Sequence, residues 1–207
     1  MFIELIDLLR CPREHEDSWL VAAFTKMDGR FVIEGKLGCP VCSASYPVVD
    51  GVARFAPARG YSGVTIAADE TEPLRIAAML NLTRPGSVVV LEGSSAIYAS
   101  AIVGLTEARV LALNAAGTTV TEAERVAEVI AGNRIPVAAR SVDGIVIESG
   151  TQETIEDALR VLVPGGRIVA PADADLGNMF REIARDDRNV VGETIGQLVS
   201  LGRVAGR

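Results

Sequence analysis

Four short apolar runs recur through the second part of the chain: Ser87–Leu91, Arg109–Leu113, Gly144–Ile147 and Arg167–Ala170. A strand that is apolar at nearly every position has no polar face to offer water. Such strands are covered on both sides, which in practice means a parallel sheet sandwiched between helices. Stretches of helical character separate the runs. Asp69-Glu-Thr-Glu-Pro73 places acids and a proline at a helix start, and the helix is expected to end near Leu82. Further helices are expected over 96–105, 120–131 (with Thr121 as a cap), 151–162 and 176–185. Short strands are expected at 135–138 and in the tail over 190–204. The chain therefore reads as α/β, with a doubly wound, mainly parallel sheet over residues 70–207.

Residues 1–58 differ in kind. They hold Cys11, Cys39 and Cys42, the only histidine, His15, and the only tryptophan, Trp19. Phe2–Leu9 suits a turn or two of helix. Trp19–Phe24 and Arg30–Ile33 read as a hairpin around Met27-Asp-Gly29. Gly60, Ser62 and Gly63 break periodicity across 59–69, which is expected to be a linker. The three thiols in a chain without a recognisable secretion signal argue against a disulfide framework. Cys39-Pro-Val-Cys42 has the spacing of a knuckle, in which two thiolates on a tight turn grip one zinc ion. Cys11 and His15 are the natural second pair, with Glu14 competing with His15 for the fourth position. The plain alternative is buried free thiols and a surface histidine. A redox pair fits less well, because such a motif opens a helix and here the surroundings read as hairpin.

A net charge of −7 argues against direct, stand-alone nucleic-acid binding, since the phosphate backbone dominates that affinity. Gly, Glu or Arg interrupts every apolar stretch short of the ~20 residues a membrane span needs. The opening Met-Phe-Ile-Glu-Leu-Ile-Asp carries acids and no basic region, so a cytoplasmic location is expected.

Two family resemblances sharpen these expectations. Leu8-Leu-Arg-Cys-Pro12, Cys39-Pro-Val-Cys42 and Tyr46-Pro-Val-Val-Asp-Gly-Val52 resemble the small zinc-ribbon family that includes the activator subunit of tRNA- and protein-modifying methyltransferases. Glu14 stands where that family commonly has cysteine. Ala158–Val169, with Pro164-Gly165-Gly166 at its centre, resembles the late helix, turn and strand of class I S-adenosylmethionine (SAM) methyltransferases, and Asp143–Ile147 resembles the strand before it. That resemblance implies a Rossmann-like fold with a small N-terminal zinc-ribbon module. It places the cofactor against Glu92, Gly93, Ser94 and Ser95 after the first strand and Asn114 after the second. Ser95 replaces a second glycine, and Asn114 replaces the acid that would accept from both ribose hydroxyls. Local roles compete: Glu92 as a strand-end acid and Asn114 as a turn former. No nucleophile stands beside a base, and the Asn-Pro-Pro-Tyr motif of amino-group methylating enzymes is absent. The resemblance implies a methyltransferase-like protein with a degenerate SAM site, partnering another protein such as a methyltransferase or its substrate. An active SAM-dependent enzyme is the main alternative. A Rossmann domain for another nucleotide, held at Gly93-Ser94-Ser95, is the third.

Overall fold

The structure, a computed structural model, describes residues 1–57, 69–115 and 124–195. Most of the expected linker therefore lies outside the described residues. The N-terminal part opens with a short 3-10 helix, Ile3–Leu8, followed by strands β1 (Val21–Asp28), β2 (Phe31–Gly38), β3 (Ser45–Val49) and β4 (Val52–Arg54). The expected hairpin is present: Asp28 pairs with Phe31, and Gly29 in the loop takes φ +54°. Then come α1 (Glu72–Met79), β5 (Val88–Glu92), a 3-10 turn over Gly93–Tyr98 and α2 (Ala99–Thr106). Strands β6 (Arg109–Leu113), β7 (Val126–Ile130) and β8 (Val142–Val146) follow, then α3 (Gln152–Val161), β9 (Leu162–Pro171), β10 (Phe180–Arg185) and β11 (Asn189–Thr194).

All of these strands join one sheet, in the order β1-β2-β3-β4-β7-β6-β5-β8-β9-β11-β10. The central run β7-β6-β5-β8-β9 is parallel throughout. In chain order it reads 3-2-1-4-5, the doubly wound order whose direction reverses between β5 and β8. The apolar runs behave as anticipated. Val88 and Val90 face one core, with Ile155, Ala158 and Val161 of α3. Val89 and Leu91 face the other, with Ile76 of α1 and Ile102 of α2. The first core also takes in Leu5 and Leu9 and the buried residues of β2–β4.

The mainly parallel expectation needs correction, because the sheet is mixed. The hairpins β1–β4 are antiparallel, and so are β9–β11–β10. The N-terminal strands join the same sheet. β4 pairs in parallel with β7, Val52 opposite Glu128 and Arg54 opposite Ile130, so the hairpins extend the central sheet directly. Isolated bridges add Leu9–Val137 and Phe2–Phe31.

Two expected helices are strands. Of the helix over 120–131, residues 120–123 lie outside the described residues, and Val126–Ile130 is β7. Val126, Ala127 and Val129 are buried, which a strand between two neighbours achieves on both faces. Phe180–Arg185 is β10, an edge strand with only Phe180 buried. Its charges suit a sheet margin, where they discourage further pairing. The expected strand at 135–138 reduces to the single bridge at Val137.

Candidate functional site

Four side chains of metal-ligating type converge in the N-terminal part. Cys39 and Cys42 flank the turn between β2 and β3, where Ser43 takes φ +57° and donates its N–H to the Cys39 carbonyl at 3.0 Å. Cys11 and His15 arrive on the segment after the first 3-10 helix. The ligand atoms of Cys11, His15, Cys39 and Cys42 all lie within 4.8 Å of one another. The Cys11 and Cys42 sulfurs are 3.7 Å apart, and the Cys39 sulfur is 3.4 Å from His15 Nε2. Zinc bonds of ~2.3 Å to sulfur and ~2.0 Å to nitrogen, set tetrahedrally, give edges of about 3.8 and 3.5 Å. The donor set therefore fits one tetrahedral zinc. Glu14 is exposed and does not belong to the group, so His15 is the fourth member.

The surroundings orient these ligands. His15 Nδ1 sits 2.6 Å from the Glu16 carbonyl, which directs the Nε2 lone pair towards the sulfurs. That is the usual outer contact of a metal-bound imidazole. Without metal, the Glu16 carbonyl first, and then the nearby thiols, favour the protonated ring and raise its pKa to about 9. The Tyr46 hydroxyl lies 3.0 Å from Cys11 Sγ, and burial first, then Cys11, pushes its pKa above the ordinary tyrosine range. Tyr46 stays a neutral donor able to steady a thiolate. The Ala44 backbone lowers the Cys42 pKa, which favours the metal-binding form. Cys11 and Cys39 are buried, and the group presents no open position built from other acids or histidines among the described residues.

The second region lies where the strand order reverses. A cleft of about 570 Å³ opens between α1, the turn after β5 and the carboxyl ends of β8 and β9. Ser94, Ser95 and Tyr98 line it on one side, Ile76 and Met79 on another, and Glu148 between them. In open parallel sheets, ligands bind in the crevice at this reversal. The Tyr98 hydroxyl accepts from the Asp69 N–H at 3.3 Å, tying the start of the α1 segment across the cleft.

The residues expected to hold a cofactor are only partly brought together. Gly93, Ser94 and Ser95 share the turn after β5, and Gly93 takes φ +62°, which only glycine adopts freely. The Ser95 hydroxyl turns back to the Glu92 carbonyl at 2.8 Å. Glu92 lines a second cavity, of about 190 Å³, with Leu113, Asn133 and Thr151. Its Oε2 accepts from the Glu148 N–H at 3.2 Å. Asn114, 5% exposed and at φ +50°, accepts the Ala131 N–H on its Oδ1 at 2.8 Å. That oxygen closes the end of the β6–β7 pair. The sequence reading passed over Glu148. Its signal is an acid just beyond the apolar run of β8, as Glu92 ends that of β5.

No family model matches the chain, and no curated protein matches it. Solved structures similar to it include methyltransferases. A SAM-dependent methyltransferase from Aquifex aeolicus is 16% identical over 61% of this chain and 93% of its own, with a TM-score of 0.44. The N-methyltransferase NodS from Bradyrhizobium japonicum WM9 is 13% identical over 63% of this chain and 100% of its own, with a TM-score of 0.44. Phosphoethanolamine N-methyltransferase 2 of Haemonchus contortus, in complex with S-adenosyl-L-methionine, is 15% identical over 49% of this chain. There the TM-score is 0.41, and the match spans 27% of that protein.

Proposed function

We propose that the chain is a methyltransferase-like protein whose SAM site is closed, and that it acts as a binding or regulatory partner within a methylation system. The observation that carries this reading is the placement of Asn114. The position that the family resemblance assigns to the ribose-binding acid holds an amide, buried and already bonded to the Ala131 N–H. Ser95, in place of a second glycine, spends its hydroxyl on the Glu92 carbonyl. As placed, both groups are engaged within the protein and do not offer SAM the contacts that the family resemblance assigns to them. The partner is another protein, such as a methyltransferase or its substrate, and the setting is cytoplasmic.

The Cys11, His15, Cys39 and Cys42 group would hold zinc in a structural role, in the manner of the activator family that the N-terminal residues resemble. Zinc there would cross-link two segments far apart in sequence, so that its binding free energy becomes folding free energy. The β4–β7 pairing supports an arrangement in which the ribbon-like part docks on its own Rossmann-like part.

A second reading, an active SAM-dependent methyltransferase, draws on the cleft at the strand reversal, which is large enough for a small ligand. Methyl transfer can run largely on proximity, so the absence of a histidine from the cleft lining does not oppose it. Calorimetric titration of the zinc-supplemented chain with SAM and S-adenosylhomocysteine separates the two. The closed-site reading expects no heat at high ligand concentration. Binding at micromolar or better would overturn it in favour of the enzyme.

A further inference from the structure

We propose that Glu148 is a built-in occupant of the glycine turn, so that the crevice between β5 and β8 opens to a ligand only when this side chain leaves. The inference deepens the closed-site reading and rests on it. It starts from a reciprocal pair of hydrogen bonds across the reversal. The Ser94 N–H donates to Glu148 Oε1, and the Glu148 N–H donates to Glu92 Oε2. Each strand-end acid thus holds the backbone of the other strand's turn.

The position of Gly93 shows what the pair does. A glycine at positive φ leaves one side of the turn bare, which is what lets a ligand approach a backbone closely. Here the bare side faces Glu148: a Cβ at Gly93 would run into all three atoms of the Glu148 carboxyl group. The space a cofactor would need is filled by the protein's own carboxylate. Ser94, Ser95 and Glu148 also line the cleft, so the clasp stands at its wall.

The clasp is reversible by construction. Glu148 is exposed, on the short connection between β8 and α3, and rotation towards water exchanges one hydrogen bond for hydration. A hydrogen bond to a charged group shifts an equilibrium by about ten- to a hundredfold. An occupant of that strength masks a modest affinity without destroying the site.

The test is calorimetric titration of wild type, Glu148→Ala and Glu148→Gln with S-adenosylhomocysteine, with hydrogen exchange of the Ser94 amide as a second readout. Glutamine keeps an acceptor oxygen at the same reach but not the charge, and is expected to bind more tightly than wild type and less tightly than alanine. Alanine is expected to bind at least tenfold more tightly than wild type and to exchange the Ser94 amide faster. A folded Glu148→Ala protein with no gain in binding overturns the proposal, whatever the amide does. Should that variant not fold, Glu148→Asp, whose carboxylate is one methylene shorter, carries the same expectation with a smaller gain. Micromolar binding by wild type would overturn the closed-site reading itself. The occupant is then judged by the ratio of Glu148→Ala to wild type alone, with less than a severalfold gain counting against it.

Discussion

Asn114 permits a sharp separation between a ligand-binding and a structural role. It is 5% exposed, sits at φ +50°, and supplies the acceptor for the Ala131 N–H at 2.8 Å. Asn114→Ala removes the acceptor and leaves a buried N–H unpaired, at a cost of about 1–3 kcal/mol. It also loses the local polar contact that makes asparagine tolerable in the left-handed region, worth roughly 1 kcal/mol. The expected loss is about 2–4 kcal/mol. Asn114→Gly removes the acceptor but not the backbone freedom, so it should lose less, by about 1 kcal/mol. With a urea slope of ~2–3 kcal/mol/M for a chain of this size, the alanine midpoint should fall by roughly 1–2 M. The assay is urea unfolding of the ligand-free proteins, followed by circular dichroism and by Trp19 fluorescence, with coincident curves required. An alanine variant within ~0.5 kcal/mol of wild type would refute the reasoning. The amide would then be idle in the ligand-free fold and available to a ribose.

The remaining expectations are briefer. Protein purified without added zinc should carry one zinc per chain, and Cys39→Ser or His15→Ala should lose it and lower the melting temperature; stoichiometric absence of metal in wild type sinks the four-ligand site. Asp186 accepts from the Asn189 and Arg188 N–H groups and from Arg75, which hold its pKa down to about 2 against an ordinary 3.8. A depressed folded pKa means stability that is present above pH ~4 and lost as pH falls towards 2. Asp186→Asn should therefore flatten the stability profile across that window, and an unchanged slope would show that the carboxylate contributes nothing. Thr151 caps α3 by accepting from the Thr154 N–H. Thr151→Ala should cost about 1 kcal/mol in urea unfolding, and a neutral result would show that the cap is unimportant.

The legible part of the fold was the part with an unambiguous period. Val88–Leu91 and Arg109–Leu113 are apolar at almost every position and became β5 and β6 nearly to the residue. Gln152–Val161 carries a cap, an apolar stripe and a charged face, and became α3. Val126–Ile130 was misread because a short apolar run has no period of its own, and only the strands on either side decide it. Phe180–Arg185 has apolar residues spaced three apart and lacks β-branched residues except Ile183. Pairing with β11 overrode that local pattern. At the metal group, the knuckle spacing was visible, but the choice of His15 over Glu14 depended on the chain path after Cys11. At the glycine turn, the departures at Ser95 and Asn114 were visible. The carboxylate of Glu148, about fifty residues further on, could not be, because only the strand reversal brings it there.

The pairing of β4 with β7 has a consequence for how the molecule is made. The hairpins β1–β4 leave the ribosome before the central strands, and the edge of β4 finds its partner only after more than seventy further residues have been added. Until then an open strand edge faces solvent, the kind of surface that recruits wrong neighbours. Early metal capture by Cys11, His15, Cys39 and Cys42 would hold the waiting hairpins in register during that interval. The two halves expressed as separate polypeptides would each carry one raw edge, β4 on one and β7 on the other. Mixed together, they should rejoin along that seam; kept apart, they should self-associate.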